Sequence, residues 1–299
     1  MKSGGFPMFQ QVRQFMTTFR ELENQDLPVK QEDKERGERL RQILSTPVEP
    51  ISNTQTPNRY VVAVASFYSQ AGASFIAGNL AYHQAGKGIS VTLCELPTGN
   101  PYYYFALDCE ERAEARMNQG GQHEEKIITM QAGCLRVKAN VPYRKKNVSY
   151  PEVTSWLLGN SRNTSLLIVD ISSGWKEEAA AWIMDMADEI WFVLDSDIPR
   201  FARTILTEEA PKVWNTNGKK VRLIANKWGQ AHAKEQLKKR IEGTLSFWSL
   251  NQKHKRVDML VPAVINQKIM NAHDKAQFLL EAYPEEEDAF TQLVTLLEE

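Results

Sequence analysis

From Tyr60 onward, short and almost continuously apolar runs alternate with stretches of helical periodicity. Continuous hydrophobicity, as opposed to alternation, is typical of parallel strands that helices cover on both faces. The predicted strands are Tyr60–Ala65, Ile89–Glu95, Lys126–Met130, Leu135–Ala139, Leu166–Asp170, Glu189–Asp195, Val221–Asn226 and Asp258–Val261. The predicted helices are Ser74–Gln84, Tyr150–Leu158, Lys176–Ala187, Pro199–Trp214, Ala231–Phe247 and Ile265–Ala282. This order predicts right-handed βαβ crossovers and an α/β fold with a doubly wound, mostly parallel sheet flanked by helices.

Residues 1–57 differ in texture from the α/β domain predicted over residues 58–299. Their apolar residues recur at helical spacing and predict an amphipathic helix, formed by Phe9, Val12, Phe15, Met16, Phe19 and Leu22. A charged stretch, Lys30–Arg41, and a proline-containing linker, Ser45–Asn58, follow it. Two readings of the helix remain open: it contacts a membrane surface or a partner groove, or it folds back on the domain.

Charge and cysteine content exclude several classes of protein. The formal net charge is −1, so no global field draws the chain to DNA or to anionic lipid. The basic clusters, Arg144–Lys146, Lys238–Arg240 and Lys253–Arg256, are interpreted first as solvated faces, with nucleic-acid or lipid contact as the less favoured reading. Three cysteines without a paired spacing and five scattered histidines predict neither a disulfide framework nor a metal site. We expect a cytoplasmic protein, with peripheral attachment to the membrane or a cell pole left open.

The first strand-to-helix turn is the most informative segment, since ligands of such sheets bind at the carboxyl ends of the strands. It reads Ser66-Phe-Tyr-Ser-Gln-Ala-Gly-Ala-Ser-Phe75. A glycine at 72 permits close backbone approach to an anion at a helix N-terminus. Ser74 has two readings: a hydroxyl for Mg²⁺, or the favoured N-cap of the following helix.

This turn resembles the deviant phosphate loop of the ParA/MinD ATPases, roughly K-G-G-x-G-K-[ST]-T followed by a helix with A-x-N-L-A. The chain keeps Gly72, Ser74 and the run Asn79–Ala81. Tyr68 replaces the signature lysine, and Ala73 replaces the lysine common to phosphate loops. Because that lysine stabilises charge on the β/γ-phosphates, its loss removes a contact of a kind that commonly contributes about 3–4 kcal/mol to the transition state.

The resemblance continues at the later strand ends. Glu95 stands for the first acid of the family's D-x-D segment, while Pro97 occupies the position of the acid that orients water. Asp170 and Gly174 match the Walker B pattern D-x-x-x-G, and Asp170 reads either as a magnesium contact or as a cap of the next turn. Trp175 then predicts a fixed packing or dimer contact where the family has a mobile switch. Asn226 matches the asparagine near adenine.

The resemblance implies a vestigial nucleotide site formed by Gly72, Ser74, Asp170 and Asn226, with no catalytic residue and no required cofactor. It implies a catalytically inactive, dimeric scaffold or localisation factor for a membrane-associated assembly such as a pilus or secretion apparatus, similar to the TadZ/CpaE-like branch. The 57 N-terminal residues are too few for the receiver-like domain of that branch. The alternative is a weak or ATP-responsive switch in positioning or DNA partition, binding ATP and Mg²⁺ through a lysine such as Lys87 or Lys227.

Overall fold

The computed structural model describes residues 59–113, 125–142, 148–215, 220–229, 234–248 and 255–298. All eight predicted strands are present within one or two residues of their predicted ends. They are β1 Tyr60–Ser66, β2 Val91–Glu95, β3 Glu125–Met130, β4 Leu135–Asn140, β5 Leu166–Ser172, β6 Glu189–Leu194, β7 Lys220–Trp228 and β8 Met259–Pro262. The predicted amphipathic helix and linker of residues 1–57 lie outside the described residues, so the domain boundary stays a prediction.

The six predicted helices occur in the predicted order, two of them with a different extent. Two short helices between β2 and β3 and a C-terminal helix are additional to the predicted ones. They are α1 Ala73–Gly86, α2 Tyr103–Ala106, α3 Cys109–Arg112, α4 Tyr150–Ser161, α5 Glu178–Met186, α6 Ile198–Thr207, α7 Lys234–Leu245, α8 Asn266–Asp274, α9 Leu279–Ala282 and α10 Asp288–Glu298. Across these described helices, none is long and apolar enough to cross a membrane.

The prediction of one helix from Pro199 to Trp214 is wrong, because α6 ends at Thr207. Pro211 follows shortly and disfavours helical continuation at the residue before it. The carbonyls freed near this end accept hydrogen bonds from one indole: Trp248 Nε1 donates to the oxygens of Ile205 and Glu208, at 2.9 and 3.0 Å. The helix therefore stops where a buried side chain replaces its next turn.

The prediction of one helix from Ile265 to Ala282 is also wrong, since it divides into α8 and α9. The break passes through Ala276, whose φ is +51°, outside the right-handed helical region. It places the Phe278 ring against Gly78 of α1, where a Cβ would lie 2.5 Å from the ring. Asn79 fixes the same contact, because its Oδ1 accepts the Leu280 N–H at 3.0 Å.

The sheet has the strand order β3-β4-β2-β5-β1-β6-β7-β8. Every neighbouring pair is parallel except β3 with β4. The chain leaves β1 towards β2 on one side, and it leaves the adjacent β5 towards β6 on the other. This reversal makes the carboxyl ends of β1 and β5 the topological switch point, where ligands of open α/β sheets bind.

Two hydrophobic layers cover the sheet. One face packs against α4, α5, α6 and α7 and includes an aromatic cluster of Phe67, Trp175, Phe192, Phe201, Trp214 and Trp248. The other face packs against α1, α9 and α10. Phe290, Leu293 and Val294 of α10 are buried there, so the acidic C-terminal segment is a docked helix.

Candidate functional site

A cleft of about 660 Å³ opens at the carboxyl ends of the central strands. It lies over the switch point, between the loop after β1 and the segments that follow β2, β5, β7 and β8. All four predicted site residues line it: Gly72, Ser74, Asp170 and Asn226. The structure thus brings together residues that are up to 154 positions apart in the chain.

Tyr68, which occupies the position of the signature lysine, points into the body of the protein. Its side chain is 7% exposed, and its hydroxyl donates to Asp195 Oδ1 at 2.8 Å and accepts the Asp195 N–H at 3.2 Å. The Arg200 guanidinium stacks 5.0 Å from the ring centre. Burial raises the pKa of Tyr68 well above its usual value, so the phenol stays neutral and ties the loop to the end of β6.

Lys227 supplies a cation beside the loop, but its charge is already paired. Its Nζ donates to the Gln70 carbonyl at 2.5 Å and to Asp195 Oδ2 at 3.2 Å. Burial alone would raise the pKa of Asp195, but hydrogen bonds from Tyr68, from the Asp197 N–H and from Lys227 lower it below the usual value. Lys87, the other lysine considered, lies at the opposite end of α1. Lys227 therefore holds the loop's backbone, and its partner carboxylate neutralises it.

Gly72 makes the turn into α1. Its φ is +104°, a left-handed conformation that favours glycine. Asn226 presses against it, so that a Cβ at position 72 would lie 2.2 Å from Asn226 Nδ2, and the same amide donates to the Ala71 carbonyl at 3.0 Å. Gly72 is the N-cap of α1 and no side chain caps this helix, so the reading of Ser74 as N-cap is wrong.

Ser74 instead joins a hydrogen-bonded chain to Asp170. The hydroxyls of Ser74 and Ser172 are 2.9 Å apart. Ser172 donates to Asp170 Oδ1 from its N–H at 2.8 Å and its hydroxyl at 3.0 Å. Asp170 therefore does cap the next turn, but with one oxygen. Its other oxygen, Oδ2, is buried and has no hydrogen-bond partner within the described residues.

Glu95 lies beside Asp170, since the two residues are in register on β2 and β5. It is 3% exposed. Its Oε1 accepts the N–H groups of Tyr102 and Tyr103, at 2.5 and 2.8 Å, and its Oε2 accepts the Asn140 N–H at 2.7 Å. Burial, with Asp170 adding to it, raises the pKa of Glu95 to about 7 despite these hydrogen bonds. Glu95 thus anchors α2 and β4 by their backbones.

Trp175, in the place of the family's mobile switch, is fixed by packing. Its side chain is buried, and its indole N–H donates to the Phe67 carbonyl at 3.3 Å. Its ring meets Phe192 and Trp248 with centroids 6.3 and 5.8 Å apart. The predicted packing contact is confirmed, and it ties the segment after β5 to the loop after β1.

The residues that line the cleft do not fit a magnesium triphosphate. A phosphate loop offers cations where the anion sits. Among the described lining residues the bases are Lys227 and His273, and the acids are Glu95, Asp170 and Glu177. Ser74 and Asp170 are the residues that the resemblance assigns to magnesium, but the Ser74 hydroxyl is bonded to Ser172, and positions 68 and 73 contribute no charge where the phosphates would lie.

Sequence reasoning did not find the Tyr68–Asp195–Lys227 network. In the sequence, Lys227 is a candidate lysine without a known position, and Asp195 is only the last residue of a predicted strand. The sequence does show that Asp195 follows β6 and that Lys227 lies at the end of β7, so both lie at carboxyl ends of central strands. Strand order was needed to show that both lie beside the loop after β1.

No family model matches the chain, and no curated protein matches it. Solved structures do. The cell division ATPase MinD of Pyrococcus furiosus is 13% identical, with a TM-score of 0.58 over 80% of this chain and 98% of that one. A chain of the MinC:MinD cell division protein complex of Aquifex aeolicus is 16% identical, with a TM-score of 0.55 over 80% of this chain and 96% of that one. A ParA family ATPase of Chlorobium tepidum is 14% identical, with a TM-score of 0.51 over 76% of this chain and 93% of that one. The chain therefore has the fold of the ParA/MinD ATPases.

Proposed function

We propose that this chain is a ParA/MinD-like pseudo-ATPase that does not hydrolyse ATP and serves as a dimeric scaffold or localisation factor. The observation that carries the proposal is the inward Tyr68, whose hydroxyl is held by Asp195 where a phosphate-binding ammonium would be needed. Ala73 adds no charge, and Lys227 is already paired. Removal of one comparable electrostatic contact commonly reduces a rate by about 10²–10³, and both lysines are replaced.

The test is phosphate release by the purified full chain, together with calorimetric ATP binding with and without Mg²⁺. We expect neither turnover nor tight binding. The variants Ala73→Lys and Tyr68→Lys/Ala73→Lys measure how much affinity the missing charges account for, with Leu158→Lys, the same gain of one charge at an exposed position on α4 outside the cleft lining, as the matched control. Tight ATP binding with steady phosphate release by the unmodified chain would refute the proposal.

The self-association surface that we propose surrounds the cleft. The cleft-lining residues Tyr102 and Ile269 lie beside α2 and on α8. Exposed apolar side chains stand on these helices and just before α8: Phe105 is 68% exposed, Ile265 66% and Met270 56%. Because no charge in the site responds to nucleotide, dimerisation is independent of ATP. Sedimentation without nucleotide should show a dimer that Met270→Asp dissociates and Leu206→Asp, an equally exposed position on α6, does not. A monomer that dimerises only with ATP would contradict this.

The apparatus that we propose is a membrane-associated assembly such as a pilus or secretion system, approached from the cytoplasm or at a cell pole. Support comes from the eroded loop, which resembles the TadZ/CpaE-like branch, and from a MinD-like fold, which in Aquifex aeolicus occurs in a complex with MinC. The N-terminal extension is the proposed contact. Replacing Phe15 and Phe19 by Asp in the full chain should disperse a fluorescent fusion from its site, and unchanged localisation would exclude this role.

The second candidate function is an ATP-responsive switch, and the position of Lys227 favours it. The ammonium already contacts the loop carbonyl of Gln70, so it could exchange Asp195 for a phosphate. In that case Lys227→Met would abolish ATP binding and Asp195→Asn would strengthen it. If neither the unmodified chain nor the variants Lys227→Met and Asp195→Asn bind ATP, the switch is excluded.

A further inference from the structure

We propose that the cleft binds an organic cation, an ammonium or guanidinium group on an apolar stem, whose N–H pairs with Asp170. The proposal rests on the proposed function, because a cleft that held a triphosphate would have no room for this ligand. It assigns to the inherited site a ligand of the opposite charge.

The first argument is the unsatisfied oxygen of Asp170. The residue is 2% exposed and lines the cleft. Oδ1 accepts two hydrogen bonds from Ser172, while Oδ2 has no partner among the described residues. The Tyr103 hydroxyl lies nearby but donates to the Ser74 carbonyl at 3.1 Å. Burial raises the pKa of Asp170, because a charged carboxylate oxygen without a hydrogen bond is costly there. A hydrogen-bonding cation in the cleft removes that cost.

The second argument is the charge of the cleft as a whole. Asp170 and Glu177 line it, together with His273 and with Glu95, whose pKa is about 7, and the ammonium of Lys227 is matched by Asp195. The loop positions that would offset these acids hold Tyr68 and Ala73. Loss of the cations without loss of the acids inverts the site, so it attracts positive charge.

The third argument is the shape and lining of the cleft. Its volume of about 660 Å³ lies within the range of small-molecule sites. Phe75, Tyr102 and Ile269 supply apolar and aromatic wall beside Asp170. Such a wall suits the methylene stem of an alkyl ammonium or guanidinium.

A divalent metal ion fits this arrangement less well. The hydroxyls of Ser74 and Ser172 bond to one another, and both oxygens of Glu95 accept backbone N–H groups. Asp170 Oδ2 is then one available oxygen, whereas Mg²⁺ and Ca²⁺ require several. Within the described residues there is no group of three potential metal ligands.

The test uses the full chain and a matched pair of probes, butylguanidinium and the neutral butylurea, in calorimetry and thermal-shift assays. We expect saturable binding of butylguanidinium and none of butylurea. Asp170→Asn should weaken the binding about tenfold or more, as expected for loss of a charge-assisted hydrogen bond. Glu178→Gln, an equal charge change on an exposed side chain outside the lining, should leave it unchanged. The contrast between the probes is measured on the unmodified chain, so it decides the matter even if Asp170→Asn does not fold.

A capped arginine amide distinguishes the sources of the cation. If it binds more tightly than butylguanidinium, the ligand is an arginine side chain of a protein; the reverse order indicates a free small molecule. Equal binding of both probes, or binding of Mg²⁺ alone that Asp170→Asn abolishes, overturns the inference. Phosphate release measured on the same sample separates the two proposals. Failure of cation binding without turnover refutes this inference only, whereas turnover refutes the proposed function as well.

Discussion

The bond between Tyr68 and Asp195 is the contact on which the shape of the loop depends, and Tyr68→Phe removes it while keeping the ring. The hydroxyl is buried and makes two hydrogen bonds with Asp195, at 2.8 and 3.2 Å. Hydrogen bonds to charged groups contribute about 1.5–3 kcal/mol. We therefore expect the free energy of unfolding at pH 7 to fall by about 1.5–3 kcal/mol, measured by urea denaturation followed by tryptophan fluorescence.

The pH dependence of this loss has a definite sign. The pKa of Asp195 is lower in the folded chain than its unfolded value of about 3.9, partly because Tyr68 donates to it. A group with a lowered folded pKa stabilises the protein above its unfolded pKa, and the stabilisation disappears as the pH falls through the folded value. The difference between the unmodified chain and Tyr68→Phe should therefore shrink as the pH falls below about 4.

Two further variants make the test specific. Tyr82→Phe is the matched control, since the Tyr82 hydroxyl has no hydrogen bond among the described contacts and its ring packs on Phe278. A double-mutant cycle of Tyr68→Phe with Asp195→Asn should give a coupling energy of about 1 kcal/mol or more. The reasoning is wrong if Tyr68→Phe and Tyr82→Phe lower the free energy of unfolding by the same amount. It is also wrong if the loss caused by Tyr68→Phe stays constant down to acid pH.

Three other variants test the surrounding contacts. Because the pKa of Glu95 is raised in the folded chain, the unfolding free energy of the unmodified chain should fall by roughly 3 kcal/mol as its proton leaves between about pH 5 and 8. Glu95→Gln, which does not titrate, should not show this fall, and parallel pH profiles of the two proteins would contradict the reasoning. Gly72→Ala should lower the unfolding free energy by about 2 kcal/mol or more, because its φ is +104° and the new Cβ would clash with Asn226. Adding Asn226→Ala should restore part of the lost unfolding free energy, and no restoration would exclude the clash. Asn79→Ala should cost about 1–3 kcal/mol and speed hydrogen exchange at the Leu280 amide, which would lose its acceptor; unchanged exchange would show that the bond is not made.

The strands could be predicted because each is apolar over most of its length, and helices cover both faces of the sheet that they form. The four site residues could be placed together because the carboxyl ends of parallel strands meet at one edge. The partner of Tyr68 could not be predicted. Asp195 lies 127 positions away, and only the adjacency of β1 and β6 brings it within reach.

The division between α8 and α9 was equally hidden from helical periodicity. Apolar residues recur with helical spacing through the break, so the pattern predicts one helix. The departure at Ala276 is determined by tertiary contacts, in which Phe278 fits against Gly78 and Asn79 receives the Leu280 N–H. Likewise, the reading of Ser74 as a cap followed from residue preference alone, and the positive φ of Gly72 moved the start of α1 by one residue.

The pairing of Tyr68, Asp195 and Lys227 constrains which substitutions could add a free cation to the loop after β1. A lysine at position 68 would meet the Asp195 carboxylate, and it would compete there with the ammonium of Lys227. A free cation at position 68 would thus need a second replacement, at Asp195, which follows a different strand.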